Sequence, residues 1–466
     1  MTTTQGAQTL DVLNRQGNIL DGIKIKPLTF TPPEVQPVTI DDAAQLYVLS
    51  DNSLPIVNLQ LVFEGGSDAE KTDFGVTSAL AAHLKLGGAG DRSGEQIAEE
   101  LASLGASLEI AAASNSFVIT LSSLSGDFEK AFQILEDVLL RPKFDESVLP
   151  VIQTSMKTVI QRRNDKPESI AQRKVLEVSY LPGRRGYSLT LNDIDNLNVG
   201  KIKNAYQSLF ANRSLYIALS GQIPENTENQ IRHLVKAMPK VSAPYRNYDQ
   251  QQNQTGITDL QNKILLVNKN VSQAVVTLTT SLPAHNDADY YALQTENYIL
   301  GGGSFVSRLM QEVRAKRGLA YYSYSRNTFE SRFGRFTAAS GTRADQAADT
   351  LTVMLEVING MNSISNDELQ LAKDSIINSL VFEYDNPSRF LSQKIRQKIH
   401  QMPADFEQQF ANNINRLTKE QVQKVATKYI DTNKMWIIVV GPASLKSELE
   451  KIRPVVVVEP EEKLIK

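Results

Sequence analysis

Leu300-Gly-Gly-Gly-Ser-Phe-Val-Ser-Arg-Leu-Met-Gln-Glu-Val-Arg-Ala-Lys-Arg-Gly-Leu-Ala-Tyr-Tyr-Ser-Tyr-Ser325 is the stretch on which the reading of this chain turns. Gly301, Gly302 and Gly303 permit a tight turn and close approach of another backbone. Ser304 is placed to cap a helix over 304–316 whose apolar face comprises Phe305, Leu309, Met310 and Val313. Gly318 can end that helix with a left-handed residue, and the tyrosine–serine alternation that follows predicts a strand. Arg314 then falls in the last helical turn and Tyr321 just past the break. A guanidinium and a phenol there are donors able to grip a backbone carbonyl or a carboxylate. On this segment alone, a surface arginine and a core tyrosine are the plainer reading. The glycine run lacks a following Gly-Lys-Ser/Thr and the dinucleotide spacing, which argues against a phosphate cradle.

Working outward, 466 residues are enough for several domains with substantial cores. Hydrophobic residues at 41% and charged ones at 22% are ordinary for a globular chain, which excludes wholesale disorder. A net charge of −3 leaves no global basic excess for a nucleic-acid backbone. With 0 cysteines there are no disulfides, thiolate nucleophiles or cysteine-based metal sites. Only His83, His233, His285 and His400 are present, so no local pair of helical histidine ligands exists. No apolar stretch approaches the ~20 residues that span a bilayer. The first residues lack a basic segment followed by an apolar core, so no signal peptide is read there, although an earlier removal is compatible with the pattern.

Residues 1–45 are polar and then proline-rich, which predicts an extended arm. Beyond them, short β-rich runs interleave with long amphipathic stretches, first over 46–240 and again over 261–466. The glutamine- and asparagine-rich interval 241–260 reads as a linker. Asp165-Lys-Pro167 recurs as Asp385-Asn-Pro387, Leu197 as Leu417 and Gly221 as Gly441, each pair differing by 220. Three landmarks at one offset predict a duplicated domain, with the copies packed about a pseudo-two-fold. The expected class is α+β: two homologous domains, each a mainly antiparallel sheet covered by helices on one face. Arg162-Arg163 and Arg184-Arg185 are expected on solvated faces or a subunit interface, and 459–463 as a frayed tail.

The 301–321 segment resembles the second-domain signature of the pitrilysin/insulinase family of zinc peptidases, the inverzincins, and the resemblance runs from about residue 45 onward. In that family the arginine and the tyrosine seven residues later reach the peptide at the zinc site, bind its backbone and help stabilise the oxyanion. Carried over, these are Arg314 and Tyr321, with Gly301, Gly302 and Gly303 as substrate-binding positions. The family's first-domain motif is His-x-x-Glu-His on a helix, with a further Glu downstream. Here Ser78, Ala81 and Ala82 stand where His, Glu and His belong. His83 falls one residue late and reads as a helix-surface or partly buried histidine. No Asp or Glu lies between Glu146 and Asp165, the interval for the distal ligand.

The resemblance implies a chain without metal or cofactor of its own, similar to the zinc-less subunit of bacterial two-chain peptidases; subunits of organellar processing peptidases divide labour in a related way. The expected partner is a His-x-x-Glu-His subunit carrying zinc, and the expected substrates are short or unfolded peptides. Two other classes remain open: a scaffolding homologue without proteolysis, and a peptide-binding module working alone by strand addition. Family precedent points to the periplasm, with cytoplasm as the alternative.

Overall fold

The computed structural model describes residues 32–211, 214–239 and 256–465. Two six-stranded sheets organise them. The first comprises β1 (Val38–Asp41), β2 (Ala44–Ser50), β3 (Ile56–Glu64), β4 (Ser107–Ala112), β5 (Ser116–Leu124) and β6 (Leu215–Gly221), in the order β1-β2-β6-β3-β5-β4. The second comprises β7 (Ile264–Asn268), β8 (Gln273–Leu282), β9 (Ala320–Phe329), β10 (Gly334–Arg343), β11 (Trp436–Gly441) and β12 (Val455–Val458), in the order β12-β7-β11-β8-β10-β9. Pairing is antiparallel except for β2 with β6, and β7 with both β11 and β12. Strand pairing begins at Val38, ahead of residue 45, while the start of the expected arm and most of the expected linker lie outside the described residues.

Alternation places the strands' core residues on one face. Val57, Leu59, Leu61 and Phe63 of β3 and Phe117, Ile119 and Leu121 of β5 enter the first core. Packed on that face are α1 (Val76–Leu86), α2 (Gly94–Ser103), α3 (Phe128–Leu140) and α4 (Leu149–Arg162). The next helix, α5 (Pro167–Tyr180), leaves this core, whereas α6 (Val199–Ala211) and α7 (Thr227–Ala237) return to it. In the second half, α8 (Tyr290–Asn297), α9 (Ala347–Asn359), α10 (Asn366–Tyr384), α11 (Pro387–Ile399), α12 (Phe406–Arg416) and α13 (Lys419–Tyr429) follow.

The duplication is visible in the topology. Strands β2, β6, β3, β5 and β4 hold the same places as β7, β11, β8, β10 and β9. Helices α5 and α11 start at Pro167 and Pro387, so the repeated Asp-x-Pro marks equivalent proline-initiated helices. The sixth strand breaks the symmetry, since β1 runs antiparallel to β2 while β12 runs parallel to β7.

Those two equivalent helices are exchanged between the halves. Ile170, Ala171, Val175 and Val178 of α5 pack on Leu265, Val267, Val275, Trp436, Ile438 and Val440 of the second sheet. Phe390, Leu391 and Ile395 of α11 pack on Tyr47, Val62 and Ala218 of the first. Each sheet therefore carries its own half's helices on one face and a single helix from the other half on the opposite face. The run Trp436-Ile-Ile-Val-Val-Gly441 is buried at every position, as a strand covered on both faces must be. Phe390 has no exposed surface, so Phe390→Ala should cost about 3–5 kcal/mol in urea unfolding. A loss under about 1 kcal/mol would mean that α11 does not hold the first sheet.

Polar contacts reinforce the exchange. Arg185 donates to Asp68 (Nε–Oδ2 3.0 Å) and lies 3.4 Å from Glu330, to which Asn115 also donates (3.1 Å). His285 and His400 share an Nδ1–Nδ1 hydrogen bond of 2.7 Å. Burial, with the Arg396 charge as a lesser cause, brings His285 down to about 3 and His400 down to about 4. Both rings are neutral at pH 7, which lets one nitrogen donate and the other accept. Arg184 and Arg185 are thus not on a solvated face; both are mostly buried, with Glu70 and Asp68 as ion-pair partners. Nor is the segment after β12 frayed. Glu461 pairs with Arg163, and Lys174, fully buried, donates to the Glu462 carbonyl at 2.8 Å.

Candidate functional site

At the start of α1, Gly75 occupies the N-cap with φ +87° and has no side chain to cap with. Glu70 takes that task, accepting from the Gly75 and Thr77 amides at 2.9 Å each while paired to Arg184. On this helix Ser78 is exposed, Ala81 buried and Ala82 half-buried. A hydroxyl and two methyl groups stand at the three positions, so the residues present do not fit a zinc site. Among the described residues no group of three or more His, Asp or Glu gathers in a metal-holding arrangement. His83 is not at the helix surface: it is 2% exposed and stacked near Phe144, with ring centroids 5.6 Å apart. Neither ring nitrogen has a protein partner, and burial holds its pKa below the usual value. Sequence spacing alone could not show this, because the Phe144 side of the packing comes from a separate loop.

In the second half, the glycines serve close packing and not unusual dihedrals. A Cβ on Gly301 would stand 2.2 Å from the Ser325 amide nitrogen of β9, and one on Gly303 would stand 2.7 Å from the Tyr298 carbonyl. The residue with positive φ is Ser304, at +54°. Ser304 opens a short 3-10 turn over Ser304–Val306 and makes no side-chain cap. The continuous α-helix expected over 304–316 is instead this turn followed, from Met310 to Ala315, by a π-helix. Leu309 and Val313 enter the core as expected, but Phe305 is 66% exposed and Val306 55%. Gly318 closes the segment with φ +64°, its amide donating to the Arg314 carbonyl at 3.0 Å.

This geometry sets Arg314 and Tyr321 on the surface. The Arg314 guanidinium lies 5.7 Å from the Phe305 ring centroid and 3.9 Å from the Met310 sulfur. Tyr321 is 55% exposed, not a core tyrosine. It is the extra residue of a β-bulge, since Tyr322 opposes Gly341 and Ala320 opposes Thr342. Strand β9 is the edge of its sheet, so its outer backbone groups are unpaired there. Among the described residues, Arg314 and Tyr321 make no hydrogen bond to an oxygen acceptor and do not touch each other. Tyr321 does lie within electrostatic reach of Arg343. Two exposed donors and two exposed apolar side chains therefore flank a free sheet edge. Nothing in the sequence marked the bulge, which depends on how β9 registers against β10.

Sequence reasoning also missed Glu296. It has no exposed surface on α8, and neither carboxylate oxygen has a protein partner. Burial pushes its pKa up to about 8, with the Arg308 charge pulling the other way. Its helix has no clear polar face, with Tyr290, Ala292, Leu293, Thr295 and Glu296 all buried, so spacing did not single it out.

Comparison with known proteins places this architecture. Residues 47–190 match the family description "Insulinase (Peptidase family M16)", and residues 196–376 match "Peptidase M16 inactive domain". A non-peptidase homolog from Helicobacter pylori is 21% identical over 398 residues, covering 83% of this chain and 89% of that protein. An uncharacterised zinc protease from Mycobacterium tuberculosis is 24% identical over 391 residues, covering 81% and 87%. The crystal structure of a peptidase M16 inactive domain from Pseudomonas fluorescens superposes with a TM-score of 0.81 at 25% identity, covering 88% of this chain and 98% of that one. With both halves of the duplication matched, this chain belongs to the pitrilysin/insulinase family of metallopeptidases as an inactive member.

Proposed function

We propose that this chain is the zinc-less subunit of a two-chain endopeptidase, lending Arg314 and Tyr321 to a reaction centre on a partner of the same family. The observation that supports it is the placement of those side chains: both exposed and both without an oxygen acceptor among the described residues, Tyr321 on the edge strand β9 and Arg314 on the π-helix that leads into it. A scaffold has no need to hold two exposed donors without acceptors around an edge strand.

In this reading the metal and the general base belong to the partner. This chain's part is to bind and orient. The Arg314 guanidinium and Tyr321 phenol donate to the scissile carbonyl oxygen, and their contribution grows as that oxygen gains charge. Exposed Gly302 offers backbone groups to the same peptide, and Phe305 and Val306 shield the donors from water. Substrates are short or unfolded peptides, because an edge strand accepts only extended backbone. A periplasmic location belongs to the same proposal; among the described residues no helix is long and apolar enough to cross a membrane.

The test is reconstitution. A His-x-x-Glu-His homologue from the same genome is mixed with this chain, and cleavage of quenched fluorescent peptides is followed for each chain and for the mixture. Turnover by the mixture, abolished by chelator and absent from either chain alone, is the expected result. Full activity of the partner without this chain, or no cleavage by any mixture that assembles, removes the proposal in favour of a scaffolding role.

A further inference from the structure

The exchanged helix α5 covers only part of the second sheet. Its apolar residues sit over β7, β11 and the start of β8, and beyond them a cavity of about 600 Å³ opens between α5 and the strands β8, β10 and β9. That volume is within the range of small-ligand and peptide-side-chain sites.

Strand periodicity fixes its floor. Tyr322, Tyr324 and Arg326 of β9 project to one face, and Arg335, Thr337 and Ala339 of β10 project to the same face through the pairs Tyr324–Ala339 and Arg326–Thr337. The matching face of β11 is wholly apolar, whereas this floor is aromatic and cationic. Neither Arg326 nor Arg335 has a carboxylate partner among the described residues, and the Arg335 Nε is buried with no acceptor. Arg335 is steadied by the Tyr180 ring, 5.4 Å from its guanidinium carbon. The one carboxylate lining the cavity, Glu168, lies beside the phenol of Tyr322. Burial first, and Glu168 second, push that phenol well above its ordinary range, so it stays protonated and occupies Glu168 as a donor. Tyr322 in turn lies flat against Gly341, where a Cβ would meet its ring at 2.3 Å.

A cavity that holds two guanidinium groups without carboxylate partners, and whose one acid lies beside a tyrosine phenol, suits a negative charge. We propose that this cavity is a carboxylate-recognition subsite, which selects peptides bearing an acidic side chain or a free C-terminal carboxylate beside the segment held at Arg314 and Tyr321. The proposal rests on the reading that the chain binds peptides, and names which ones it prefers. Tyr322 and Tyr324 give ring faces for the peptide to lie on, while Arg326 and Arg335 converge on the carboxylate oxygens.

The experiment uses the full chain alone and four fluorescein-labelled, unstructured decapeptides: one central Glu or Gln, each as free acid or C-terminal amide. Fluorescence anisotropy should show at least about tenfold tighter binding for carboxylate-bearing peptides than for the Gln amide, as expected for charge-assisted hydrogen bonds. The two singly charged peptides tell which source the site prefers. The double variant Arg326→Gln/Arg335→Gln should bind all four alike. Arg326→Gln, at an exposed position, should by itself lower the preference several-fold even if loss of the Tyr180 stack loosens the double variant. Arg314→Ala, at a residue outside the cavity lining, should leave the preference among the four peptides in place. Equal binding of the four peptides by wild type, a preference that survives both variants, or no binding of any peptide at millimolar concentration overturns the proposal. Because this assay needs neither partner nor cleavage, a failed reconstitution with intact carboxylate preference would leave this site standing and remove only the catalytic role.

Discussion

Arg314→Ala, assembled with a zinc-bearing partner, lowers kcat by about 10²–10³ while leaving KM and the yield of complex little changed. The direction follows from where the guanidinium acts. In the proposed complex it would meet a neutral carbonyl in the bound peptide and a developing oxyanion in the transition state, so its removal would fall mainly on the chemical step. Arg314 is exposed and its partners among the described residues are Phe305 and Met310, so its truncation leaves no buried group unsatisfied and should not alter the melting temperature. Tyr321→Phe removes one donor and keeps the ring, and it should lower kcat in the same direction. Arg314→Lys retains charge without the planar fork and should recover only part of the loss. Steady-state kinetics with size-exclusion chromatography of each complex separates these outcomes. A variant complex that turns over at the wild-type rate would assign Arg314 to the surface and nothing more.

Glu296→Gln stabilises the second half, and does so increasingly as pH rises. The carboxyl's folded-state pKa is about 8, against an ordinary value of 4.5 in the unfolded chain. Below 4.5 both states hold the proton, and the acid adds no pH-dependent penalty. Between 4.5 and 8 the unfolded chain ionises while the folded one does not, so stability drains away as pH rises, reaching a deficit on the order of several kcal/mol above pH 8. Glutamine matches the shape and cannot ionise. The gain of the variant over wild type should therefore be small at pH 5 and several-fold larger at pH 8. Urea unfolding at pH 5, 6.5 and 8 reads it directly. Taking the difference between variant and wild type cancels His285 and His400, whose lowered pKa values act oppositely, their stabilisation being lost as pH falls below the ordinary histidine range. A gain that does not vary with pH would show that Glu296 is solvated or paired.

Much of the fold was legible because local chemistry and global architecture agree. Glycine at Gly318 did end the helical segment in the left-handed region, and the alternation in Leu59–Phe63 and Phe117–Leu121 did give strands packed on one core. Of the proposed site, the sequence supplied two residue types at a fixed spacing, Arg314 and Tyr321. Their environment was not legible. The 304–316 helix is a 3-10 turn and a π-helix, preceded by Gly301 pressed against Ser325 of β9, a contact with a residue 24 positions away. His83 likewise reads as a helix-surface or partly buried histidine, and it is almost fully buried beside Phe144.

By itself the amino-acid order determined the twofold repeat and the mainly antiparallel sheets, since each depends on which side chains occur and at what period. Only the tertiary structure decided that α5 and α11 trade places between the halves, that Arg184 and Arg185 are buried ion-pair partners, and that Tyr321 sits on a bulge. Each of these is a contact between segments far apart in the chain, and a local pattern carries no energy term for a neighbour that folding has yet to bring near.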